Sequence, residues 1–232
     1  MDFLDRSDQK AKEIYKKSIE GIHHTPLKKL GSNTSRIFEE DPKLLLFILS
    51  RYKFVAKQFE GYSSILEIGC QEGFGAPIVS QGAMKYTGLD FYKPYIEFAK
   101  DNLETKENKF QFIHHDILLG THSTEQFDCA FALDVLEHIE SSNEELFFRN
   151  IQKYLSSSKG PIILGMPSLE SQVYASERSK LGHVNCKSKK EFRTSCKKYY
   201  RDVFMFSMND EVLHTGYDPM SQYLFAICSG PI

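Results

Sequence analysis

The stretch that decides the fold is a short apolar segment that runs into a glycine-rich loop, and it reads Ile65-Leu66-Glu67-Ile68-Gly69-Cys70-Gln71-Glu72-Gly73-Phe74-Gly75. A short, mostly apolar run that stops at a glycine is typical of a buried strand. Gly69 and Gly73 allow a tight turn and a close approach of the backbone to a ligand. A helix-compatible segment follows the loop, so this stretch predicts the first βα unit of a parallel sheet.

Outward from this loop, short apolar runs alternate with amphipathic segments. The alternation predicts further strands at 84–90, 110–114, 127–133 and 161–164, and helices at 77–81, 94–103 and 141–155. Two more predicted strands, 203–206 and 223–227, have no long helix between them and are expected to pair in antiparallel fashion at the sheet edge. We therefore expect an α/β fold: a Rossmann-like, doubly wound sheet of seven strands, mostly parallel with an antiparallel terminal strand, with helices on both faces.

The pattern also divides the chain into two parts. Residues 1–60 read as helices and predict an N-terminal helical extension or cap, whereas residues 61–232 carry the Rossmann-like domain. The segment at about 167–197 follows the fifth predicted strand. We expect this segment to cover the substrate as a lid.

Two predicted helix starts carry the same sequence signature, a serine three residues before a glutamate. Ser141 precedes Glu144, and Ser188 precedes Glu191. In a capping box the serine hydroxyl accepts a backbone N–H from the glutamate, and the carboxylate accepts one from the serine. Both pairs therefore predict a capped helix start.

Composition excludes several classes of protein. The 29 Lys and Arg residues and the 31 Asp and Glu residues give a formal net charge of -2, which argues against a nucleic-acid-binding surface. The longest purely apolar run, Leu44 to Leu49, is far shorter than the ~20 residues that span a bilayer. The five cysteines include no Cys-x-x-Cys pair and favour a reducing compartment. We expect a cytoplasmic monomer or homodimer with no membrane span and no nucleic-acid partner.

Acidic and apolar residues follow the predicted strands where a doubly wound sheet binds ligands, at the carboxyl ends. Asp90 ends the second strand, and its carboxylate can accept two hydrogen bonds from a ribose diol. Asp116 follows the third strand and can accept a hydrogen bond from the exocyclic amine of a base. Phe91 and Ile117 can hold the ring of that base between apolar walls. The spacing therefore predicts a nucleoside-binding crevice.

The glycine loop does not follow the dinucleotide pattern G-x-G-x-x-G, because Gln71 stands two places after Gly69. No Gly-Lys-Ser/Thr of a phosphate-binding loop is present in the sequence. Glu67, expected at the mouth of the loop, would repel a pyrophosphate and attract an ammonium or sulfonium group. The sequence therefore favours a cationic nucleoside ligand over a dinucleotide.

At these residues the chain resembles the class I S-adenosylmethionine-dependent methyltransferases. It is similar to the small-molecule branch that includes the ubiquinone-biosynthesis O-methyltransferases. The resemblance covers residues 62 to about 167. Its motifs are the glycine loop, the acids Asp90 and Asp116, and a block that reads Leu133-Asp134-Val135-Leu136-Glu137-His138-Ile139.

The resemblance implies S-adenosyl-L-methionine as cofactor and S-adenosyl-L-homocysteine as product. It implies that Gly69 and Gly73 lie beside the methionine moiety and that Leu133 offers its backbone to the amino group. Gln71 departs from the family, which usually has glycine there. The expected cofactor-binding residues are Glu67, Gly69, Cys70, Gly73, Asp90, Phe91, Asp116, Ile117 and Leu133.

Transfer of a methyl group to an alcohol also removes a proton, for which histidine is a suitable base at neutral pH. His138 follows the fourth strand, His183 lies in the expected lid, and His214 lies between the last two strands. For each of these histidines, a role in packing or in stabilising a loop is an equal alternative. We expect the catalytic base among these three.

The polar loops also supply candidate substrate-binding residues, because binding groups concentrate on loops. These are Asn185, Asn209, Tyr217 and Arg178. A zinc set drawn from the histidines and cysteines of the tail, His183, Cys186, Cys196 and His214, matches no common spacing, so we expect no metal.

The sequence therefore predicts a methyltransferase that acts on an oxygen of a small polar metabolite, including phosphorylated, nucleotide-linked or sugar-linked ones such as surface-polysaccharide precursors. Two alternatives stay open. One is N-methylation of a small metabolite, and the other is an NAD-dependent oxidoreductase on a similar sheet.

Overall fold

The computed structural model describes residues 2–24, 27–105, 109–156 and 160–232, without the side chains of residues 2–7 and 23. Its centre is one sheet of eight strands. The strands are β1 (Ser64–Ile68), β2 (Lys85–Asp90), β3 (Phe110–His114), β4 (Cys129–Leu133), β5 (Ile162–Pro167), β6 (Tyr200–Asn209), β7 (Val212–His214) and β8 (Tyr223–Pro231).

The order of the strands across the sheet is β3-β2-β1-β4-β5-β8-β6-β7. The first five of these positions are parallel neighbours, and β8, β6 and β7 are antiparallel. From β1 the chain winds outward to β3 on one side and then to β4 and β5 on the other. The reversal places a ligand crevice at the carboxyl ends of β1 and β4.

The predicted α/β sheet is confirmed, but the count of seven strands is wrong. The additional strand is β7, which lies in a segment predicted as a loop. Asp210, with φ +50°, turns the chain after β6, so that His214 pairs with Ser207. A three-residue strand of this kind has too few residues to show an alternating pattern in the sequence.

Helices cover both faces of the sheet, α6 and α8 on one and α3 and α5 on the other. The α-helices of the described residues are α1 (Asp2–Ser18), α2 (Ser32–Glu40), α3 (Leu44–Gln58), α4 (Ala76–Val79), α5 (Lys93–Leu103), α6 (Glu144–Lys153), α7 (Glu177–Gly182) and α8 (Lys189–Lys197). Short 3-10 turns, among them Leu136–His138 and Glu170–Tyr174, connect several elements. In the part of the chain that is described, no helix has the length and hydropathy needed to cross a bilayer.

The core has two layers, one on each face of the sheet. On one face, Phe147 and Phe148 of α6 and Phe192 of α8 are buried completely. On the other face, α3 and α5 bury Val55 and Ala99. Because both faces are covered, every residue of β4 is buried, as expected for a central parallel strand.

The two predicted capping boxes have different outcomes. The box at Ser188 and Glu191 is confirmed, with both reciprocal hydrogen bonds present. The box at Ser141 is wrong: its hydroxyl donates to Asn185 Oδ1 at 2.8 Å, and Glu144 forms an ion pair with Lys187 at 3.0 Å. A tertiary contact has taken both side chains away from the helix end, and α6 begins only at Glu144.

Candidate active site

A cleft of about 190 Å³ lies where the glycine loop, the end of β4 and the helices α2 and α3 meet. Gly69 and Gln71 line it from the loop, and Leu133 lines it from β4. Arg51 and Tyr52 line it from α3. The N-terminal helices therefore form part of the wall of the crevice that the sheet topology creates.

The two expected glycines of the loop have different surroundings. Gly69 lines the cleft with φ +77°, and a Cβ there would lie 2.3 Å from Val135 Cγ2. Gly73 is not among the residues that line the cleft. Its φ is +74°, and a Cβ would lie 2.8 Å from the ring of Phe112. Gly73 therefore shapes the loop from behind by allowing close packing on β3.

Gln71 adopts the left-handed conformation, with φ +47°. This region costs an ordinary residue about 1–2 kcal/mol relative to glycine, which explains why a glycine suits this place. The backbone N–H of Gln71 donates to Asp90 Oδ2 at 2.9 Å, and its side-chain oxygen accepts from Asn33 Nδ2 at 2.9 Å. These hydrogen bonds hold the strained turn.

Asp90 lies at the end of β2, beside the loop. Its two carboxylate oxygens accept backbone N–H groups from Gln71 and Tyr92, at 2.9 and 2.8 Å. Each oxygen keeps further lone-pair capacity for a ligand. Burial raises the pKa of Asp90 above its usual value, and the two backbone hydrogen bonds oppose this rise. The arrangement holds the carboxyl in one fixed orientation.

Glu67 has a different position from the one expected. It is 1% exposed, and its carboxyl accepts hydrogen bonds from the hydroxyls of Tyr52, at 3.0 Å, and Tyr86. Burial raises the pKa of Glu67 to about 8. The expectation of an anionic group at the mouth of the loop is corrected, because β1 is buried on both faces and Glu67 packs beneath the loop. Cys70, also expected at the cofactor, is 1% exposed and packs into the core, but it is among the residues that line the cleft.

The residues expected around a base follow β2 and β3 at the carboxyl edge, and they differ in exposure. Phe91 is 71% exposed, so its ring is available to a ligand. Ile117 is buried in the core. Asp116 Oδ1 accepts the backbone N–H of Leu118 at 2.9 Å and caps a 3-10 turn. Within the described ranges its Oδ2 makes no hydrogen bond, so this oxygen can accept hydrogen bonds from a ligand.

Two charged residues of the cleft were missed by the sequence reasoning. Arg51 Nη1 forms an ion pair with Asp134 Oδ2 at 3.0 Å, and Asp134 has φ +55°. Arg51 Nε is buried and finds no hydrogen-bond partner in the described part of the chain, and the guanidinium lies 3.9 Å from the ring centroid of Tyr223. No local pattern marks Arg51, because α3 reaches the crevice only through the tertiary fold.

Glu72 of the glycine loop fixes α2 over the cleft. Its carboxylate accepts the backbone N–H groups of Asn33, at 2.8 Å, and Thr34, at 3.2 Å, and the hydroxyl of Ser32 at 2.9 Å. A carboxylate at this position satisfies free N–H groups of the first helical turn and suits the positive end of the helix dipole. The loop and the N-terminal helix therefore hold each other in place.

Two of the three expected histidines meet beside the cleft. The rings of His138 and His183 are 5.1 Å apart between centroids. His138 Nδ1 lies 2.8 Å from Gly182 O, and His183 Nδ1 lies 2.7 Å from Gln172 Oε1. Burial and the neighbouring His138 lower the pKa of His183, so its imidazole is neutral at pH 7. The sequence did not show that these two would be adjacent.

Glu137 completes this group and was also missed. It is 1% exposed, and Oε2 has no hydrogen-bond partner among the residues that the structure describes. Burial, together with the charge of Asp134, raises the pKa of Glu137 well above its ordinary value. Its carbonyl oxygen accepts the backbone N–H groups of Val184 and Asn185, which ties the segment after β5 to the turn after β4.

The third expected histidine is elsewhere. His214 lies in β7 at the sheet edge, four strand positions from β4. Its Nδ1 accepts the N–H of Gly216 at 3.0 Å, and Nε2 lies 3.3 Å from Asn209 Oδ1. Asn209 itself is held by Met220 O and Gln222 N, so both residues fasten a hairpin. Tyr217, expected at the substrate, is 72% exposed in the next loop.

The two remaining residues that we expected at the substrate lie in different surroundings. Asn185 is 5% exposed, and its side chain joins Ser141, Glu144 and Lys187 in a buried hydrogen-bond network. Arg178 lies on the exposed surface of α7. The structure therefore places Asn185 in a structural role and leaves the Arg178 guanidinium accessible.

Comparison with known proteins agrees with this geometry. Residues 65–158 match the family described as a methyltransferase domain. No curated protein matches the chain.

Among solved structures, the methyltransferase domain of bacterial CtHen1 is 16% identical, with a TM-score of 0.66, and the match covers 79% of this chain and 98% of that one. N-methyltransferase NodS from Bradyrhizobium japonicum WM9, with S-adenosyl-L-homocysteine, is 18% identical, with a TM-score of 0.65 and coverages of 88% and 95%. The plantazolicin methyltransferase BpumL is 18% identical, with a TM-score of 0.61 and coverages of 85% and 88%. These likenesses establish the fold.

The family match spans the glycine loop, both acids at the carboxyl edge and the block from Leu133 to Ile139. The predicted enzyme class and its cofactor are confirmed: residues 65–158 form a methyltransferase domain of the S-adenosylmethionine-dependent type.

Proposed function

We propose that this enzyme methylates an oxygen atom of a small polar metabolite, in the manner of the ubiquinone-biosynthesis O-methyltransferases. One observation carries the proposal. Gly69 and Leu133 line one cleft, and Asp90 holds the backbone of Gln71 in the same loop. His138, on the turn after β4, meets His183, which directly follows α7. The enzyme therefore has a basic group next to the site where the methyl group is delivered.

The residues of the crevice fit the cofactor. A volume of about 190 Å³ is smaller than the ~300–1,000 Å³ of pockets that enclose a whole ligand, so the cleft suits the amino-acid end. We assign the carboxylate of that end to Arg51 and its ammonium to Asp134 and the Leu133 backbone. Asp90 takes the ribose diol with its remaining lone pairs, and Phe91 and Asp116 take the base along the open edge.

When bound, the cofactor supplies a methyl group on a sulfonium; the acceptor oxygen bonds to its carbon, the electron pair of the broken S–C bond stays on sulfur, and the acceptor proton leaves. The protein aligns the two partners and excludes water, which is worth ~7–11 kcal/mol in well-oriented reactions. We assign the remaining step, removal of the acceptor proton, to the group of Glu137, His138 and His183.

An anionic acceptor is one version of this proposal, and the lysines at the start of α8 and just before it bear on it. Lys187 is paired with Glu144 at 3.0 Å, and Lys189 is paired with Asp218 at 2.8 Å. These ion pairs weaken the positive electrostatic field around the start of α8. The accessible Arg178 is the cation that supports an anionic acceptor. If Arg178 attracts one, added salt raises the acceptor KM in the wild type and has less effect in Arg178→Ala.

N-methylation is the second candidate, and the likeness to the N-methyltransferase NodS favours it. An amine acceptor needs no base if it binds as the free amine, so its methylation would depend little on His138 or His183. We do not pursue the NAD-dependent oxidoreductase, because residues 65–158 match a methyltransferase domain.

The test has two stages. First, S-adenosylhomocysteine and NAD are compared as stabilisers in thermal unfolding, because only a ligand that binds the folded state raises the Tm. We expect a rise with S-adenosylhomocysteine alone. Second, the enzyme is given S-adenosylmethionine labelled in the methyl group and a panel of hydroxylated and aminated metabolites, with and without phosphate. A labelled ether supports the proposal, whereas label found only on amines overturns it in favour of N-methylation.

A further inference from the structure

The loop that follows β3 and carries Asp116 is fastened to α6 at two points. Asn150 Nδ2 donates to Ile117 O in a buried hydrogen bond of 2.8 Å. Further along the loop, the hydroxyl oxygen of Tyr154, at the end of α6, lies 2.8 Å from both the backbone nitrogen and Nδ1 of His122. Asn150 and Tyr154 are four residues apart, so they face the same side of the helix. The end of α6 therefore holds both ends of the segment from Ile117 to His122.

The same loop is also closed upon itself. His115 Nε2 lies 2.9 Å from Gly120 O, and because a carbonyl oxygen only accepts, the imidazole of His115 donates here. Between these two residues, Asp116 Oδ1 accepts the backbone N–H of Leu118 at 2.9 Å. The position of the Asp116 carboxyl, which we assign to the base of the cofactor, therefore depends on how firmly this loop is tied to α6.

The hydrogen bonds between Tyr154 and His122 need a neutral imidazole. The backbone N–H of His122 donates to the phenol oxygen, which leaves the phenol hydrogen to donate to Nδ1. Nδ1 accepts only while it carries no proton. When His122 is protonated, Nδ1 becomes a second donor, and in the part of the chain that is described the phenol hydrogen then has no acceptor. Tyr154 is fully buried, and a buried donor without a partner is costly.

The groups around His122 also bear on its protonation. His115, on the same loop, lies 5.6 Å from His122 between ring centroids, and Tyr154 faces it from α6. Lys85 of β2 and Glu125 of the loop before β4 lie nearby and form an ion pair with each other. Burial lowers the pKa of His122, as do His115 and Lys85, whereas Glu125 raises it. His122 is therefore neutral at pH 7 and becomes protonated only in acid.

We propose that Tyr154 is a positioning residue for the nucleoside end of the cofactor, and that protonation of His122 loosens its hold on the loop and weakens cofactor binding in acid. Neutral His122 accepts from Tyr154 and keeps the Asp116 loop in place. Protonated His122 no longer accepts from Tyr154, and it repels His115, which directly precedes Asp116. The inference rests on the proposed use of Asp116 at the base.

The first test uses the reciprocity of coupled binding. If protonation of His122 weakens the binding of S-adenosylhomocysteine, bound S-adenosylhomocysteine must disfavour protonation of His122 by the same factor. NMR of the imidazole signals, with the His122 signal identified by its loss in His122→Asn, gives the pKa of His122 with and without saturating ligand. We expect a fall in this pKa on binding that corresponds to at least ~3-fold weaker affinity of the protonated form. An unchanged pKa in protein that binds the ligand overturns the proposal.

Variants separate positioning from folding. Tyr154→Phe keeps the ring beside Phe127 and removes the hydroxyl, so it should weaken S-adenosylhomocysteine binding at pH 7.5 by ~3–10-fold. Its affinity should also lose the part of the pH dependence, between pH 7.5 and 5.5, that His122 causes. His122→Asn places an oxygen that always accepts near the position of Nδ1. It should keep the affinity measured at pH 7.5 and lose the same part of the pH dependence.

His24→Asn, at an exposed histidine of the N-terminal region, is the matched control and should follow the wild type at every pH. Calorimetry measures the affinities, and thermal unfolding shows that each variant is folded. Wild-type affinity together with wild-type pH dependence in a folded Tyr154→Phe contradicts the proposal.

These measurements do not depend on the methyl acceptor, because all of them use S-adenosylhomocysteine. A protein that methylates a hydroxylated acceptor but shows no change in the pKa of His122 on ligand binding has the proposed function without this positioning. A protein that shows the change but methylates only amines has the positioning without the proposed O-methylation.

Discussion

Two polar regions of this protein contain a histidine close to an asparagine, and only one of them lies at the carboxyl ends of the parallel strands. In the first, His138 on the turn after β4 meets His183, which follows α7, and within the described part of the chain each ring has one nitrogen without a hydrogen bond. In the second, His214 and Asn209 lie on the edge hairpin of β6 and β7, where the hydrogen bonds of both residues are used within the hairpin.

The two regions differ because the fold places their loops at different edges of the sheet. The carboxyl ends of parallel strands meet at one edge, so loops that follow β4 and β5 face the same crevice. The edge hairpin joins antiparallel strands, and its polar groups find partners locally. A histidine in a polar loop is therefore informative about function only when its unused nitrogen and the strand topology are both known.

The sharpest test of this comparison is the effect of each histidine on turnover. His183→Ala should lower kcat by about 100-fold or more. This is the lower end of the range for the loss of a group that assists proton removal. His214→Ala should change kcat by less than about 3-fold, because its nitrogens fasten the hairpin. Initial rates with the acceptor found in the panel measure both. A comparable loss in the two variants would remove the distinction between the regions.

Glu67, in β1 below the glycine loop, tests how burial acts beneath the crevice. Burial raises its pKa to about 8, so between about pH 4.5 and that value the folded state binds more protons than the unfolded state. The free energy of unfolding should therefore fall as pH rises through this window, by a few kcal/mol. Glu67→Gln should remove this slope, as measured by urea unfolding at pH 5 to 9.

Glu191 of the capping box provides the matched control. Hydrogen bonds from Ser188 lower its pKa, so it stabilises the fold above its unfolded pKa and loses that effect only as pH falls in acid. Glu191→Gln should leave the slope between pH 5 and 8 as it is in the wild type. An unchanged slope in Glu67→Gln would show that another group titrates there.

Asp90 tests the nucleoside part of the crevice. Asp90→Ala should weaken binding of S-adenosylhomocysteine by about 1.5–3 kcal/mol, because hydrogen bonds to a charged acceptor are lost. Calorimetry measures the change, and Asp101→Ala, an exposed acid on α5, is the control. Unaltered affinity in Asp90→Ala would take this residue out of the site.

The smallest expected effect compares the two regions through their backbones. Gln71, with φ +47°, and Asp210, with φ +50°, both adopt the left-handed conformation. Gln71→Gly should raise the free energy of unfolding by about 0.5–1 kcal/mol, since strain is relieved while the unfolded chain gains freedom. Asp210→Gly should gain less, because aspartate tolerates this conformation better. Chemical unfolding of both variants gives the comparison, and a destabilised Gln71→Gly would show that its side-chain contact with Asn33 outweighs the strain.

The two predicted capping boxes show what local sequence can predict about a helix start and what it cannot. Ser188 and Glu191 form the predicted box on an exposed helix start, where nothing competes for them. Ser141 and Glu144 carry the same signature, but Asn185 and Lys187, from the segment between β5 and α8, bind their side chains. The same residues at the same spacing gave different structures because only one pair met a partner from elsewhere in the chain.

The sequence by itself determined the βα alternation, the acids at the ends of β2 and β3, and the methyltransferase class, because these follow from patterns within single strands and the loops that follow them. Only the tertiary structure decided that Glu67 is buried, that Arg51 reaches the cleft, and that His183 rather than His214 joins His138. Such facts depend on contacts between residues that are far apart in the chain, and local periodicity carries no information about them.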